Sequence, residues 1–188
     1  MQKYLAALTF VFLIGLVVSR VQFMKRKGID AMQFGKLDKT DFLIPPIALF
    51  YFYLVFANAF GLPTPATRQL FNSAGLAWLG VAFCLAGLVL LSWSILSFGW
   101  SFRIGIDSEH PDQLITSGIF AFSRNPIYVA FALVLIGQFL VFSHLVLLVY
   151  LLAAFWLFHR QVLREEEFLK QHYGQAFADY CSQVRRYF

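Results

Sequence analysis

Ionisable side chains are scarce in this sequence: only 13% of its 188 residues are Asp, Glu, Lys or Arg, about half the share found in a soluble domain. That scarcity, beside 60% hydrophobic residues and 23 phenylalanines, excludes an ordinary soluble fold. A chain this short has too little interior to hide so much apolar surface, so most of it must face lipid. Cysteine is nearly absent as well. Cys84 falls in an apolar stretch and Cys181 in the polar tail, so no disulfide is expected and neither thiol reports a redox compartment. There is no CxxC, HExxH or phosphate loop, no internal repeat and no linker that would divide the chain. His110 and Asp112 have no companion at metal-ligand spacing, and "GWSFRIG" lacks the three-glycine nucleotide fingerprint. The formal net charge of +5 does not point to nucleic acid, because the basic residues cluster beside apolar runs, where they orient spans.

A membrane helix needs about 20 apolar residues, with a working range of about 17–25. Tyr4 to Ser19 predicts a first, slightly short span. No small-x-small cleavage site precedes "RVQFMKRKG", so this segment is expected to be retained rather than removed as a signal peptide. Phe42 to Phe60 predicts a second span, with Pro45-Pro46 near its start, where the missing N–H groups cost least. Asn72 to Phe98 predicts a third, with Trp78 and Trp93 towards its two ends. Ile127 to Phe158 is too long for one upright helix and short for two. Ser143 and His144 interrupt it midway, which predicts two helices joined by a tight turn, with His144 a wetted turn residue.

The basic residues test this arrangement. With five spans, Arg20, Lys25, Arg26, Lys27, Lys36, Lys39, Arg103, Arg124, Arg160, Arg164, Lys170, Arg185 and Arg186 fall on one side, and only Lys3 and Arg68 on the other. Thirteen against two places the first side in the cytoplasm. The expected fold is therefore an all-α integral membrane protein with five transmembrane helices, the last two a hairpin, the N-terminus outside and a cytoplasmic C-terminal helix. It is expected to be one membrane domain, residues 1–98 supplying three spans and residues 99–188 the core of a site.

The polar clusters then share the cytoplasmic face. In "SRNPIY", Asn125 suits an N-cap and Pro126 the first helical position, so a helix should begin here with its positive end towards an anion. Arg124 adds a forked cation and Tyr128 a hydroxyl in the first turn. On these residues alone, a positive-inside anchor and a plain cap explain the stretch equally well. In "REEEFL", Glu165, Glu166 and Glu167 cannot share one helix face, since successive residues lie about 100° apart. Those turned to solvent would pair with Arg160, Arg164 or Lys170, and those turned to the helix mouths would accept from an ammonium or hydroxyls. Elsewhere, Gln138 and Asn58 are expected to make interhelical hydrogen bonds. Ser92, Ser94 and Ser97 are expected to bond back to their own helix, and His159 and His172 to be interfacial or solvated.

"GIFAFSRNPIY", an apolar hairpin, "EEEFL" and "YGQAFADY" together resemble the isoprenylcysteine carboxyl methyltransferase and phospholipid methyltransferase superfamily. The resemblance rests on Leu114, Gly118 and Phe120; on Arg124, Asn125, Pro126 and Tyr128; on Glu165, Glu166 and Leu169; and on Tyr173, Gly174, Phe177 and Tyr180. It covers about Phe98 to Tyr187. Asn125 stands where many members carry histidine, and unlike histidine it cannot shuttle a proton near neutral pH. Phe120 stands for tyrosine. The resemblance implies methyl transfer from S-adenosyl-L-methionine to a lipophilic or lipidated acceptor entering from the bilayer, a prenylcysteine-like carboxylate or a phospholipid amine. It implies Arg124 and Glu165 as catalytic, and Gln113, Leu114, Gly118, Asn125, Pro126, Tyr128, Glu165 and Glu166 as cofactor-binding. No metal is implied. Two other classes stay open at this point: a nicotinamide-dependent membrane reductase, which also shows Arg-x-Pro-x-Tyr, and a non-catalytic lipid-binding module of the same fold.

Overall fold

The computed structural model describes residues 1–28, 44–64, 68–99 and 114–188. The helices are α1 (Gln2–Arg26), α2 (Ile44–Phe60), α3 (Ala74–Phe98), α4 (Pro126–Phe142), α5 (Leu145–Tyr173) and α6 (Gln175–Gln183), with a short 3-10 helix at Gly118–Ala121. Gln113, His110, Asp112, Lys36, Lys39, Arg103 and the expected start of the second span at Phe42 lie outside the described residues.

By length and composition, α1, α3 and α5 can each cross a membrane; the apolar helices Pro46–Phe60 and Pro126–Phe142 are shorter. At 17 residues, α4 is about 26 Å long. The first helix runs to Arg26, beyond the expected end at Ser19, because no proline or glycine interrupts "RVQFMKR". α3 starts where Ser73 accepts a hydrogen bond from Leu76 N (3.4 Å). The apolar run of α5 stops at Phe158, but the helix continues through the glutamates to Tyr173. That extension of 15 residues reaches about 22 Å past the apolar part.

The helices alternate in direction. Tyr4 near the start of α1 meets Phe60 at the end of α2, with ring centroids 5.4 Å apart. Arg20 on α1 donates to the Gly99 carbonyl at the end of α3, so these two helices run the same way. α3 and α4 form the closest pair, and they run oppositely, Gly80 facing Gly137 and Gly87 facing Ala130. These contacts are backbone to backbone. A Cβ on Gly80 would sit 2.5 Å from the Gly137 carbonyl oxygen, and one on Gly87 2.7 Å from that of Ala130. In lipid, where tails are as apolar as leucine, such close approach lets dispersion and small residues hold helices together. Above and below it, Leu13, Leu91, Ile95, Ala130 and Val134 form one apolar cluster, and Ala6, Tyr51, Leu54, Val55 and Phe142 belong to another.

The break between α4 and α5 is at Ser143, where φ is 50°. The turn is clamped from outside: Leu70 N donates to Ser143 O (2.8 Å), Leu145 N donates to Arg68 O (3.1 Å), and Ser143 Oγ donates to Phe71 O. A two-residue turn therefore suffices because a neighbouring strand-like segment satisfies its backbone. Gln138 behaves as expected, accepting from the Tyr51 hydroxyl (2.6 Å) across α2 and α4. Asn58 does not. It donates to Leu54 O of its own helix (2.8 Å), one turn back. Ser92 and Ser94 bond back to Leu88 O and Leu90 O, whereas Ser97 instead accepts from Ile119 N (3.3 Å), because the 3-10 helix lies over the end of α3.

The described ends of the helices separate the basic residues: Arg20, Lys25, Arg26, Arg124, Arg160 and Arg164 belong to one end of the bundle, Lys3 and Arg68 to the other. Gly137→Leu is expected to force α3 and α4 apart. Overpacking alone costs about 1–3 kcal/mol, and here the clash is with backbone, so the loss should reach at least that range in thermal unfolding of detergent-purified protein. Gly15→Leu, at a site with open space, is the control and should unfold near the parent temperature.

Candidate functional site at the α4 mouth

Four described parts of the chain meet where α4 begins: the 3-10 helix, the first turn of α4, the extension of α5, and α6 with the segment that follows it. Pro126 occupies the first position of α4 and is buried, as its fixed φ and missing N–H favour. Asn125 holds the N-cap position but its side chain makes no capping bond. The expectation of an Asn cap is corrected: its Nδ2 donates instead to Glu166 Oε1 (3.2 Å) and to Arg186 O (3.1 Å). A carboxylate and a carbonyl aimed at the amide compete successfully with the first-turn N–H groups.

Arg124 is also turned inward. Its Nε and Nη2 lie 3.2 and 3.0 Å from Glu166 Oε1, and its Nη1 donates to Cys181 O (3.2 Å) and Val184 O (3.1 Å). Both partners of this ion pair are 11% exposed, so the charges are largely out of water. The fork that the sequence suggests for a ligand is thus committed to the protein's own acceptors. Arg186, from beyond α6, binds the other oxygen: its Nε and Nη2 lie 2.9 and 2.8 Å from Glu166 Oε2. Glu166 therefore sits between two guanidinium groups.

The three glutamates divide as their 100° spacing requires. Glu167 faces outward and accepts from Gln171 Nε2 (3.1 Å). Glu165 turns to the other side of the mouth, accepting from the Tyr128 hydroxyl (2.6 Å) and from Gln161 Nε2 (3.0 Å). Among the described residues its hydrogen-bond donors are neutral, unlike the guanidinium groups at Glu166. Burial raises the Glu165 carboxyl above the ordinary carboxylate range, with the bonds from Tyr128 and Gln161 pulling it down. Tyr128 and Phe131 pack on Phe158 at centroid distances of 5.8 and 6.1 Å, so this acid lies at the border of an apolar seam between α4 and α5.

The 3-10 helix supplies another wall. Gly118 has φ of 64° and approaches Ser97 so closely that a Cβ would overlap its side chain, so glycine is required there twice over. Phe120, standing where the resemblance expects tyrosine, is buried against Phe98 at 4.5 Å. Its carbonyl accepts from the Tyr180 hydroxyl (2.6 Å). Burial pushes that hydroxyl up to about 12, Arg124 pulling the other way, so it stays a donor. Leu114 is partly buried at the start of the same segment. Gly174, with φ of 51°, ends α5 and lets α6 fold back, and Phe177 and Tyr180, three residues apart, bury the inner face of α6.

The sequence model of the family described as phospholipid methyltransferase matches residues 76–176, more than half of the chain. This chain belongs to the phospholipid methyltransferase family. It is also 32% identical over 109 residues to a protein-S-isoprenylcysteine O-methyltransferase of Tribolium castaneum, covering 56% of this chain and 39% of that protein. The corresponding protein of Xenopus laevis is 32% identical over 129 residues, 66% of this chain and 44% of that one. A probable protein-S-isoprenylcysteine O-methyltransferase of Oryza sativa subsp. indica is 27% identical over 111 residues, covering 57% and 58%. The chain thus spans from 39% to 58% of the length of these relatives. The family match contains α3, the 3-10 helix, α4, the hairpin turn and α5, and so includes Arg124, Asn125, Tyr128, Glu165 and Glu166.

Gln161 and Arg186 were not legible as site residues in the sequence. Gln161 has a local signal in hindsight, lying four residues before Glu165 on the same helix face. Arg186 has none, since only the return of the chain past α6 brings it to Glu166. Because the folded state holds Glu165 with a raised pKa, it binds that proton more tightly than the unfolded chain does. Stability from this group is therefore complete below the ordinary glutamate range and falls as pH rises towards the raised value. The melting temperature in detergent should drop across that interval, and Glu165→Gln, which cannot ionise, should flatten the slope; an unchanged slope would mean that the carboxyl titrates normally.

Proposed function

We propose that this chain is a five-span membrane methyltransferase that transfers a methyl group from S-adenosyl-L-methionine to a lipophilic or lipidated acceptor at the cytoplasmic face. Residues 1–188 form a single membrane domain in this reading, with the N-terminus outside and α6 in the cytoplasm. The gathering of basic residues at the end of the bundle that carries Arg124 supports that orientation. The membrane is the inner or plasma membrane in a prokaryote and the endoplasmic reticulum in a eukaryote.

The observation that carries the proposal is Glu165, an acid of raised pKa at the α4 mouth, held by neutral donors and bordering an apolar seam, inside the segment that matches the family. The donor set suits a cofactor that presents an ammonium and ribose hydroxyls, for which a carboxylate is the natural acceptor. Glu165 and Tyr128 would hold those groups, and the backbone from Leu114 to Gly118, with Gln113 before it, would meet the adenine. Arg124, Asn125, Pro126 and Glu166 would form the wall beside them, Arg124 fixing the acid pair rather than a free ligand. The cofactor supplies a methyl group activated on a sulfonium. The chain's part is positioning in a dry site, and proximity of this kind is worth about 7–11 kcal/mol. A prenylcysteine-like carboxylate and a phospholipid amine both fit an acceptor that enters between α4 and α5, where Phe131 and Phe158 offer apolar contact.

Calorimetric titration of detergent-purified protein with S-adenosylhomocysteine, with NADPH as the control, tests this. Micromolar binding of the nucleoside alone is expected. Glu165→Gln and Tyr128→Phe should each weaken it roughly tenfold or more, the scale of a hydrogen bond to a charged group. Binding of NADPH instead would favour a reductase, and binding of neither by folded protein would overturn the methyltransferase reading.

A further inference from the structure

The segment after α6, Val184 to Tyr187, crosses the mouth of α4, with Val184 extended at φ −122° and ψ 133°. Its carbonyl groups are turned to two adjacent residues. Val184 O accepts from Arg124 Nη1, Arg185 O accepts from Arg124 N (3.0 Å), and Arg186 O accepts from Asn125 Nδ2. The side chain of Arg186 then reaches back to Glu166 Oε2, while Tyr187 shares a hydrogen bond of 2.8 Å with His159 Nδ1 on α5. The strap is thus fastened to α4 by its backbone and to α5 by two side chains.

This arrangement gives the two neighbouring acids different roles. Glu166 has Arg124 and Asn125 on one oxygen and Arg186 on the other, so its acceptor capacity is filled by the protein. Among the described residues, Glu165 accepts only from a hydroxyl and an amide. We propose that Arg186 is a positioning residue of the site: by closing the strap onto Glu166 it removes that carboxylate from ligand contact and completes the wall beside Glu165. The inference rests on the methyltransferase reading for its ligand, but the strap itself does not depend on it.

Three detergent-purified variants decide the matter, Arg186→Ala, Arg186→Lys and Glu166→Gln, together with the Arg186→Ala/Glu166→Gln pair. S-adenosylhomocysteine titration reads the site, and amide hydrogen exchange at Arg124, whose N–H is held by Arg185 O of the strap, reads the strap. Arg186→Ala should weaken the nucleoside at least tenfold, raise KM more than it lowers kcat, and speed exchange at Arg124 by tenfold or more. Arg186→Lys, which keeps the charge and loses the fork, should recover part of each. In the Glu166→Gln background, Arg186→Ala should add little, a non-additivity that a general loss of stability would not produce. Unchanged exchange at Arg124 in Arg186→Ala would overturn the strap, and faster exchange with unchanged affinity would overturn its role in the site. If the parent protein binds no nucleoside, the methyltransferase reading falls and the positioning role with it, while exchange still reports whether Arg186 closes the strap.

Discussion

A carboxylate held largely out of water cannot be left bare, and Glu166 is the point on which this end of the molecule is organised. Desolvating an ion costs several kcal/mol unless partners replace its water. Here two guanidinium groups and an amide do so from two parts of the chain, the α4 start and the segment beyond α6, converging on α5. The same residues that neutralise Glu166 also satisfy carbonyls left open at the end of α6. One ion cluster therefore closes a helix end, joins two spans and anchors the tail. Removing Glu166 would leave the largely buried Arg124 guanidinium without its carboxylate, whereas Glu166 keeps one guanidinium if either arginine is lost.

The rest of the bundle supports that cluster by placing the α4 mouth. α4 lies against α3 through glycine contacts at which the two backbones touch, so its height and rotation relative to α3 are set by shape rather than by polar bonds. At the far end, Arg68 to Phe71 grips the Ser143 turn and fixes where α5 begins. With both ends of the hairpin held, Glu165 comes opposite Tyr128, the first turn of α4 facing the last turns of α5. The contact between these two helices is made by aromatic rings and bordered by a carboxyl whose pKa burial raises.

Family membership and geometry bear on different parts of the account. The match over residues 76–176 assigns the chain to the phospholipid methyltransferase family. The geometry assigns tasks within the shared motifs: Arg124 and Asn125 hold the protein to itself, and Tyr128 and Glu165 look towards the seam. Asn125 fits this division. A histidine offers one donor at each of two separated ring nitrogens, whereas the amide places both of its N–H groups on one atom, and here they serve a carboxylate and a backbone carbonyl together.

Much of the architecture was legible because membranes impose simple rules. Apolar run length marked the helices, Ser143 and His144 marked the hairpin, and lysine and arginine sorted to one end, each a consequence of the cost of putting polar groups in hydrocarbon. The grouping of Arg124, Tyr128 and Glu165 was also readable, since a hairpin returns α5 to the start of α4. Bond partners were not. Asn58 turned to its own helix, Ser97 to the 3-10 helix, and Asn125 away from the cap, because hydrogen-bond choice depends on which acceptor arrives nearest once the chain is folded. The sequence by itself determined which segments form apolar helices and which residues gather at the α4 mouth, because burial free energy is additive along a run. Only the tertiary structure decided that Glu166 is paired with two arginines while Glu165, buried as well, is held by a hydroxyl and an amide. That difference is a matter of 100° of helix rotation and of an arginine returning from beyond α6, and neither distance nor direction in three dimensions is written in local spacing.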